Sequence, residues 1–235
     1  MKANYSFNYG KKNYTFSAKN GEVHELEHGI VVTTVAKEYK EFDALEWVLH
    51  LTNFSEENSG VISDLYDCDV LLPLAMPSQS KAGYRPTKGN ACVITMNGMV
   101  PGRFYWENDK VSATEYGLNL EYLDKAPNKT KIFSNVGGRS SEGMMPFFDV
   151  TAGGKGYLVA IGWSGSWKAE FTACEDGILV KTGLKYTQFY LKPGETIRTS
   201  SVLIMKYENE EEKYNQFRRL IRTHFSHKKY TEREG

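Results

Sequence analysis

Short runs of alternating apolar and polar residues recur along this chain, and turn-forming residues separate them. Residues 45–52 put Leu45, Trp47, Leu49 and Leu51 on one face and Glu46, Val48, His50 and Thr52 on the other. A repeat of two is the side-chain period of a strand buried on one face. Residues 30–35 are β-branched and follow Gly29, so they predict a strand. Residues 61–74 predict a pair of short strands. The same pattern predicts strands over 91–96, 103–106, 118–123, 131–134, 157–161, 167–171, 177–184 and 196–204. Gly153, Gly154 and Gly156 precede a strand and read as a hairpin turn. Residues 53–60 form a turn-rich acidic loop. Residues 77–90 and 134–143 read as long loops, the kind of segment that carries function on a β scaffold. This spacing predicts an all-β fold, a large antiparallel β-sandwich of the supersandwich kind.

The pattern changes near residue 208. Tyr214, Phe217, Leu220, Ile221 and Phe225 recur at helical spacing, which predicts a C-terminal linker helix over 208–225. Glu208, Glu210, Glu211 and Glu212 fall in its first turns, and Arg218, Arg219, Arg222 and His224 toward its end. That polarity suits a helix dipole. The chain therefore divides into a sandwich domain (1–207), a linker helix (208–226) and a polar tail (227–235).

Composition narrows the function. The 29 Lys and Arg balance the 29 Asp and Glu among 235 residues. A net charge of zero argues against an extended basic surface for nucleic acid or an anionic membrane. No apolar run approaches a membrane span, and residues 1–16 lack the apolar centre of a signal peptide. Cys68, Cys92 and Cys174 are far apart and show no C-x-x-C spacing. They read as thiols rather than bridges, which points to a reducing, cytoplasmic compartment. Aromatic residues make up 13% of the chain, which suits strands and also suits sugar-binding surfaces. Asn53-Phe54-Ser55 and Asn128-Lys129-Thr130 match glycosylation acceptors, a triplet common by chance.

His24-Glu25-Leu26-Glu27-His28 matches the H-E-x-x-H zinc signature in letters. That chemistry needs a helix, so that both imidazoles meet one metal. Here the segment lies between Gly21 and Gly29 and runs into a strand, so a strand or turn is expected and no metal. There is no G-x-S-x-G elbow and no phosphate loop before a helix, and no cofactor is expected. Asp64, Asp67, Asp69, Glu142 and Asp149 are the carboxylates that a paired-acid mechanism would need to draw on. Trp163 and Trp167 flank a Ser-Gly-Ser turn and could offer flat faces to a sugar, or pack in the sandwich.

Several features in sequence order carry a resemblance. They are Asp64-Leu65-Tyr66-Asp67, Pro146-Phe147-Phe148, the strand ending Gly162-Trp163-Ser164-Gly165-Ser166-Trp167, Leu191-Lys192-Pro193-Gly194-Glu195-Thr196, and the helix ending Arg222-Thr223-His224-Phe225. Together they resemble the N-terminal β-sandwich of glycoside hydrolase family 36, the α-galactosidase or melibiase type. The resemblance covers most of residues 20–226. It implies a following (β/α)8 barrel as partner, with both catalytic aspartates in that barrel and none in this chain. It implies α-galactosides as substrates of the parent protein only. The sandwich would pack on the barrel, shape its rim and assist homo-oligomer formation. Trp163, Trp167, Arg139, Glu142 and Phe148 are the candidates for sugar contact or the domain interface. An independent carbohydrate-binding module and a small enzyme with loop carboxylates are the alternatives.

Overall fold

The computed structural model describes residues 2–75, 91–99, 118–123 and 130–226. The expected loop at 77–90, the strand at 103–106 and the tail at 227–235 lie outside the described residues. The strands are β1 (Asn4–Tyr9), β2 (Lys12–Ser17), β3 (Val23–Glu25), β4 (Ile30–Tyr39), β5 (Ala44–Asn53), β6 (Ile62–Tyr66), β7 (Cys68–Pro73), β8 (Cys92–Asn97) and β9 (Leu118–Tyr122). They continue with β10 (Lys131–Ser134), β11 (Met144–Ala152), β12 (Lys155–Gly162), β13 (Trp167–Cys174), β14 (Gly177–Leu184), β15 (Gln188–Phe189), β16 (Thr196–Arg198) and β17 (Ser201–Tyr207). Among the described residues one α-helix, α1, spans Lys213–His224.

The strands form an antiparallel sandwich. A nine-stranded sheet runs β3-β4-β5-β17-β12-β11-β8-β9, with β16 also paired to β5. Two four-stranded sheets, β15-β6-β1-β2 and β10-β13-β14-β7, cover its inner face. The alternation read from residues 45–52 is seen in β5, where Trp47, Leu49 and Leu51 are buried and Glu46, Val48, His50 and Thr52 are half exposed. These side chains meet Tyr5 and Phe7 of β1, Val70 and Leu72 of β7, and Phe171 and Val180 of β13 and β14 in one core. Gly153 and Gly154 both take positive φ, 65° and 81°, between the paired residues Ala152 and Lys155. Two left-handed residues are what the tight two-residue hairpin turn requires.

β12 and β17 differ from β5, because Gly156–Ile161 and Val202–Met205 are buried without alternation. Val159, Ile161, Val202 and Ile204 face the inner core. Leu158, Ala160, Leu203 and Met205 face the other way, onto α1. There Tyr214, Phe217, Leu220 and Ile221 of the helix close a second, smaller core. Phe217 meets Phe147 with ring centroids 5.7 Å apart.

The helix starts later than its charge pattern predicts. Glu208, Glu210, Glu211 and Glu212 precede Lys213, and no acidic residue lies in the first turn. Glu208 is held instead by Lys155 and Lys206 at the ends of β12 and β17. Asn209 Oδ1 then accepts the Glu211 amide at 2.9 Å, which holds a turn rather than a helix. Lys213 is buried and its Nζ lies 2.5 Å from Asp149 Oδ2 on β11. The Tyr207 hydroxyl donates to Asp149 Oδ1 at 2.6 Å and the Tyr214 hydroxyl to Oδ2 at 3.3 Å. At the far end, His224 lies 2.7 Å from Glu41.

The H-E-x-x-H letters fall on β3 and a single 3-10 turn, Glu27–Gly29, with His28 at φ 56°. His24 stacks on Phe16 at 4.0 Å. The segment is the strand and turn that its flanking glycines indicate. Asn53 is buried, and its amide donates to the carbonyls of Glu57 and Leu191, so it is a core residue.

Asp67 lies fully buried between β6 and β7. One carboxylate oxygen accepts the Ser200 hydroxyl, and the other has no hydrogen-bond partner. Burial pushes its pKa up to about 6, against the pull of the Ser200 and Thr199 hydroxyls. The folded state therefore binds this proton more tightly than the unfolded chain. Its stabilising effect is complete below the ordinary carboxyl value and is lost as the pH rises toward 6. Asp67→Asn is expected to be more stable than the parent at pH 7.5, by on the order of 1–3 kcal/mol. Urea midpoints measured from pH 4 to pH 8 should converge at the acid end. A gap that widened toward acid would contradict the assignment.

The Asp149–Lys213 pair gives a second test. Lys213→Met leaves a buried carboxylate without its cation, a loss of about 3–5 kcal/mol. Leu220→Ala, which truncates the centre of the same small core, should cost about 2–5 kcal/mol. Denaturant unfolding that left both variants near the parent would mean that the helix contributes nothing to the domain.

Candidate functional site

Three loops meet at the end of the sandwich where β12 and β14 finish. They are residues 135–143, residues 163–166 and residues 185–187. Asn135 organises the first of them. It is buried, its Nδ2 donates to the carbonyls of Gly137 and Arg139 at 2.7 and 2.9 Å, and its Oδ1 accepts the Trp167 amide at 3.1 Å. The Ser140 amide donates to the Ser164 carbonyl at 3.0 Å. The Lys185 amide donates to the Ser166 carbonyl at 3.2 Å, and the Ser166 hydroxyl donates to the Gly137 carbonyl at 3.1 Å. The three loops are thus tied into one platform by their own backbones.

Glycines fit the platform together. A Cβ on Gly137 would meet the Glu142 carboxylate at 2.2 Å, and one on Gly165 would meet Trp163 Nε1 at 2.9 Å. Glu142 therefore packs over the Gly137 backbone, only 14% exposed, with Arg139 Nε at 3.5 Å. Arg139 projects outward at 67% exposure. Val136 and Tyr186, on the first and third of these loops, are exposed, and Tyr186 holds a left-handed φ of 60°. Such a backbone position is strained for a bulky residue.

The structure separates the two tryptophans. Trp163 is half buried against the inner core. Trp167 is fully buried, edge-on to Phe148 at 5.5 Å, and donates from Nε1 to the Ser140 carbonyl at 2.7 Å. Its face is not open to a sugar. Phe148 is likewise core, between Trp167, Phe171 and Phe133. Trp167 and Phe148 support the platform from beneath rather than line it. The tryptophans also lie on the inner side of the large sheet and α1 on its outer side, so the two do not form one face.

The five carboxylates are dispersed among separate partners. Asp64 accepts Asn8, Asp69 accepts Ser6 and pairs with Lys181, Asp67 is buried against Ser200, Asp149 binds Lys213, and Glu142 lies on the platform. Among the described residues no group of three or more His, Cys, Asp or Glu side chains converges on a metal-sized site. None of the three cysteines is bridged, and no described helix is long and apolar enough to cross a membrane. What the platform presents is an indole, a phenol, a guanidinium and an aliphatic side chain on a rigid backbone. Of the residues singled out from the sequence, Arg139, Glu142 and Trp163 lie on these loops, and the loops also hold Asn135 and Tyr186, which were not singled out. An Asn two residues before a Gly-Gly run is a legible loop signal; Tyr186 leaves none.

No protein-family profile matches the sequence, and no curated protein matches it. Solved structures do. A glycoside hydrolase family 36 α-galactosidase from Geobacillus stearothermophilus, bound to 1-deoxygalactonojirimycin, matches 88% of this chain with a TM-score of 0.63 at 16% identity. The galactosidase domain of an α-galactosidase–sucrose kinase matches 88% at 0.61 and 17% identity. An α-galactosidase from Lactobacillus brevis matches 77% at 0.56 and 16% identity. The chain spans only 22 to 26% of the length of these three proteins. Most of this chain thus has the fold of a domain-sized portion of glycoside hydrolase family 36 α-galactosidases.

Proposed function

We propose that this chain is the N-terminal accessory domain of an α-galactosidase-type glycoside hydrolase, packing on the catalytic barrel and shaping its substrate rim. One observation carries the reading. The match takes in 88% of this chain and leaves about three quarters of the matched enzyme unaccounted for. A (β/α)8 barrel occupies about 250 residues by itself, and the paired carboxylates of a retaining glycosidase would reside there. The loop platform supports the reading from its chemistry. Trp, Tyr and Arg are the residues that dominate interface energetics, and rigid backbone lowers the cost of ordering them. Arg139, Trp163 and Tyr186 are the residues that would meet the barrel or its substrate, with Glu142 fixing Arg139. Unbridged cysteines fit a cytoplasmic enzyme. Homo-oligomer assembly through the same sandwich belongs to this reading. The binding-module alternative is weaker, because burial of Trp167 removes one of its two tryptophan faces.

The isolated chain should therefore leave aryl α-galactosides intact at the rate of buffer alone. Turnover by purified chain that disappears in Glu142→Gln would overturn the accessory role. In the gene, the reading frame should run on past Gly235 through a barrel-length segment. In that longer protein, Arg139→Glu combined with Tyr186→Ser should lower kcat/KM about tenfold, a loss of roughly 1.4 kcal/mol. A stop codon directly after Gly235 would exclude the proposal.

A further inference from the structure

Along one edge of the sandwich β2, the end strand of a covering sheet, meets β3, the end strand of the large sheet. Three contacts close this seam. Phe16 stacks on His24 with ring centroids 4.0 Å apart, the Ser17 hydroxyl donates to Glu22 Oε2, and Lys12 pairs with Glu27. Glu22 is tied in turn to β4, where the Thr34 amide donates to the Glu22 carbonyl at 3.0 Å. Tyr5 of β1 reaches the same place from the covering sheet. Its ring centroid lies 6.4 Å from that of His24. Its hydroxyl lies beside that of Thr34, and the Glu22 carboxylate is near enough to oppose its ionisation. His24 Nε2 is 3.6 Å from Glu22 Oε1, too far for a hydrogen bond.

Tyr5 and Thr34 are wholly buried. Among the described residues the Tyr5 hydroxyl, the Thr34 hydroxyl and His24 Nε2 are shut off from solvent and form no hydrogen bond within the chain. A buried polar atom without a partner costs stability, and here three of them gather around one carboxylate. Each of the three can donate or accept, whereas Glu22 Oε1 only accepts. That donor set selects among small occupants. The Glu22 carboxylate opposes an anion. A divalent cation would find one carboxylate and one imidazole, and no larger group of metal-ligating side chains converges among the described residues. A water molecule donates twice and accepts twice, so it can serve all four atoms. Internal waters typically bridge about three otherwise unsatisfied groups.

We propose that this seam is a binding site for one ordered water, which bridges Tyr5 Oη, Thr34 Oγ1, His24 Nε2 and Glu22 Oε1 and fastens β1 of the covering sheet to the β3–β4 edge of the large one. A crystal structure of the chain, at a resolution that orders internal water, should show a single peak within about 3.2 Å of at least three of these atoms. Urea unfolding reads the same site in solution. Tyr5→Phe and Thr34→Val keep the shape of each side chain and remove one partner of the water. Each should lower the urea midpoint, because a hydrogen bond is lost and the water is left with fewer partners. Combined, they should lower it by less than the sum of the two shifts, since both act through one water. Hydroxyls that bridge nothing behave in the opposite way, and their removal raises the midpoint. Five results would overturn the site: no peak at the seam, a direct hydrogen bond from Tyr5 to Thr34, a metal ion in place of water, a midpoint raised by either variant, or shifts that add in the double variant.

Discussion

The structure depends on one constraint, that β12 and β17 are apolar on both faces. A strand with a single apolar face can leave the other to water. These two cannot, so the large sheet must be covered twice. The two small sheets satisfy its inner side with the aromatic and aliphatic core around Trp47, Trp167 and Phe171. On its outer side, among the described residues, α1 covers Leu158, Ala160, Leu203 and Met205. Helix formation follows from this burial. A twelve-residue helix is marginal in water by itself, and the apolar patch beneath it supplies the missing stability.

The Asp149–Lys213 pair gives that covering a register. Desolvating both ions is expensive, and a buried pair is weak evidence for net stabilisation. Its other contribution is geometric. Both carboxylate oxygens are engaged, by Lys213 and by the hydroxyls of Tyr207 and Tyr214, so the helix is fixed against β11 and β17 together. A helix sliding by one turn would expose a bare carboxylate to apolar surroundings. At the other end, His224 against Glu41 ties the last turn to the connection between β4 and β5. Both ends of the helix are therefore fixed against the sandwich.

Much of the fold is legible in the sequence because a half-buried strand must alternate. β5 could be read face by face, and the Gly153-Gly154 hairpin could be read from its need for left-handed backbone. The unbroken run from Tyr157 to Ile161 carried a further message, that both faces are buried, but not what covers them. The helix start was the least legible element. Acidic residues before a helix suit its dipole whether they are inside it or outside it, and only the positions of Lys155 and Lys206 decide where Glu208 goes. Those lysines are distant in sequence, so local reasoning could not use them.

The two tryptophans define the limit for the site. Trp167, Ala169, Phe171 and Ala173 are alternate residues of β13, and all are buried. The parity that reads β5 thus holds for Trp167 as well once it is placed at the start of β13. Trp163 escapes the rule because it lies in the turn beyond β12, where side-chain direction is set by loop bonds such as Ser140 to Ser164. The same holds for Arg139 and Tyr186. Strand period thus reports the walls of this molecule well, while the surfaces that could act on another molecule arise where strands stop.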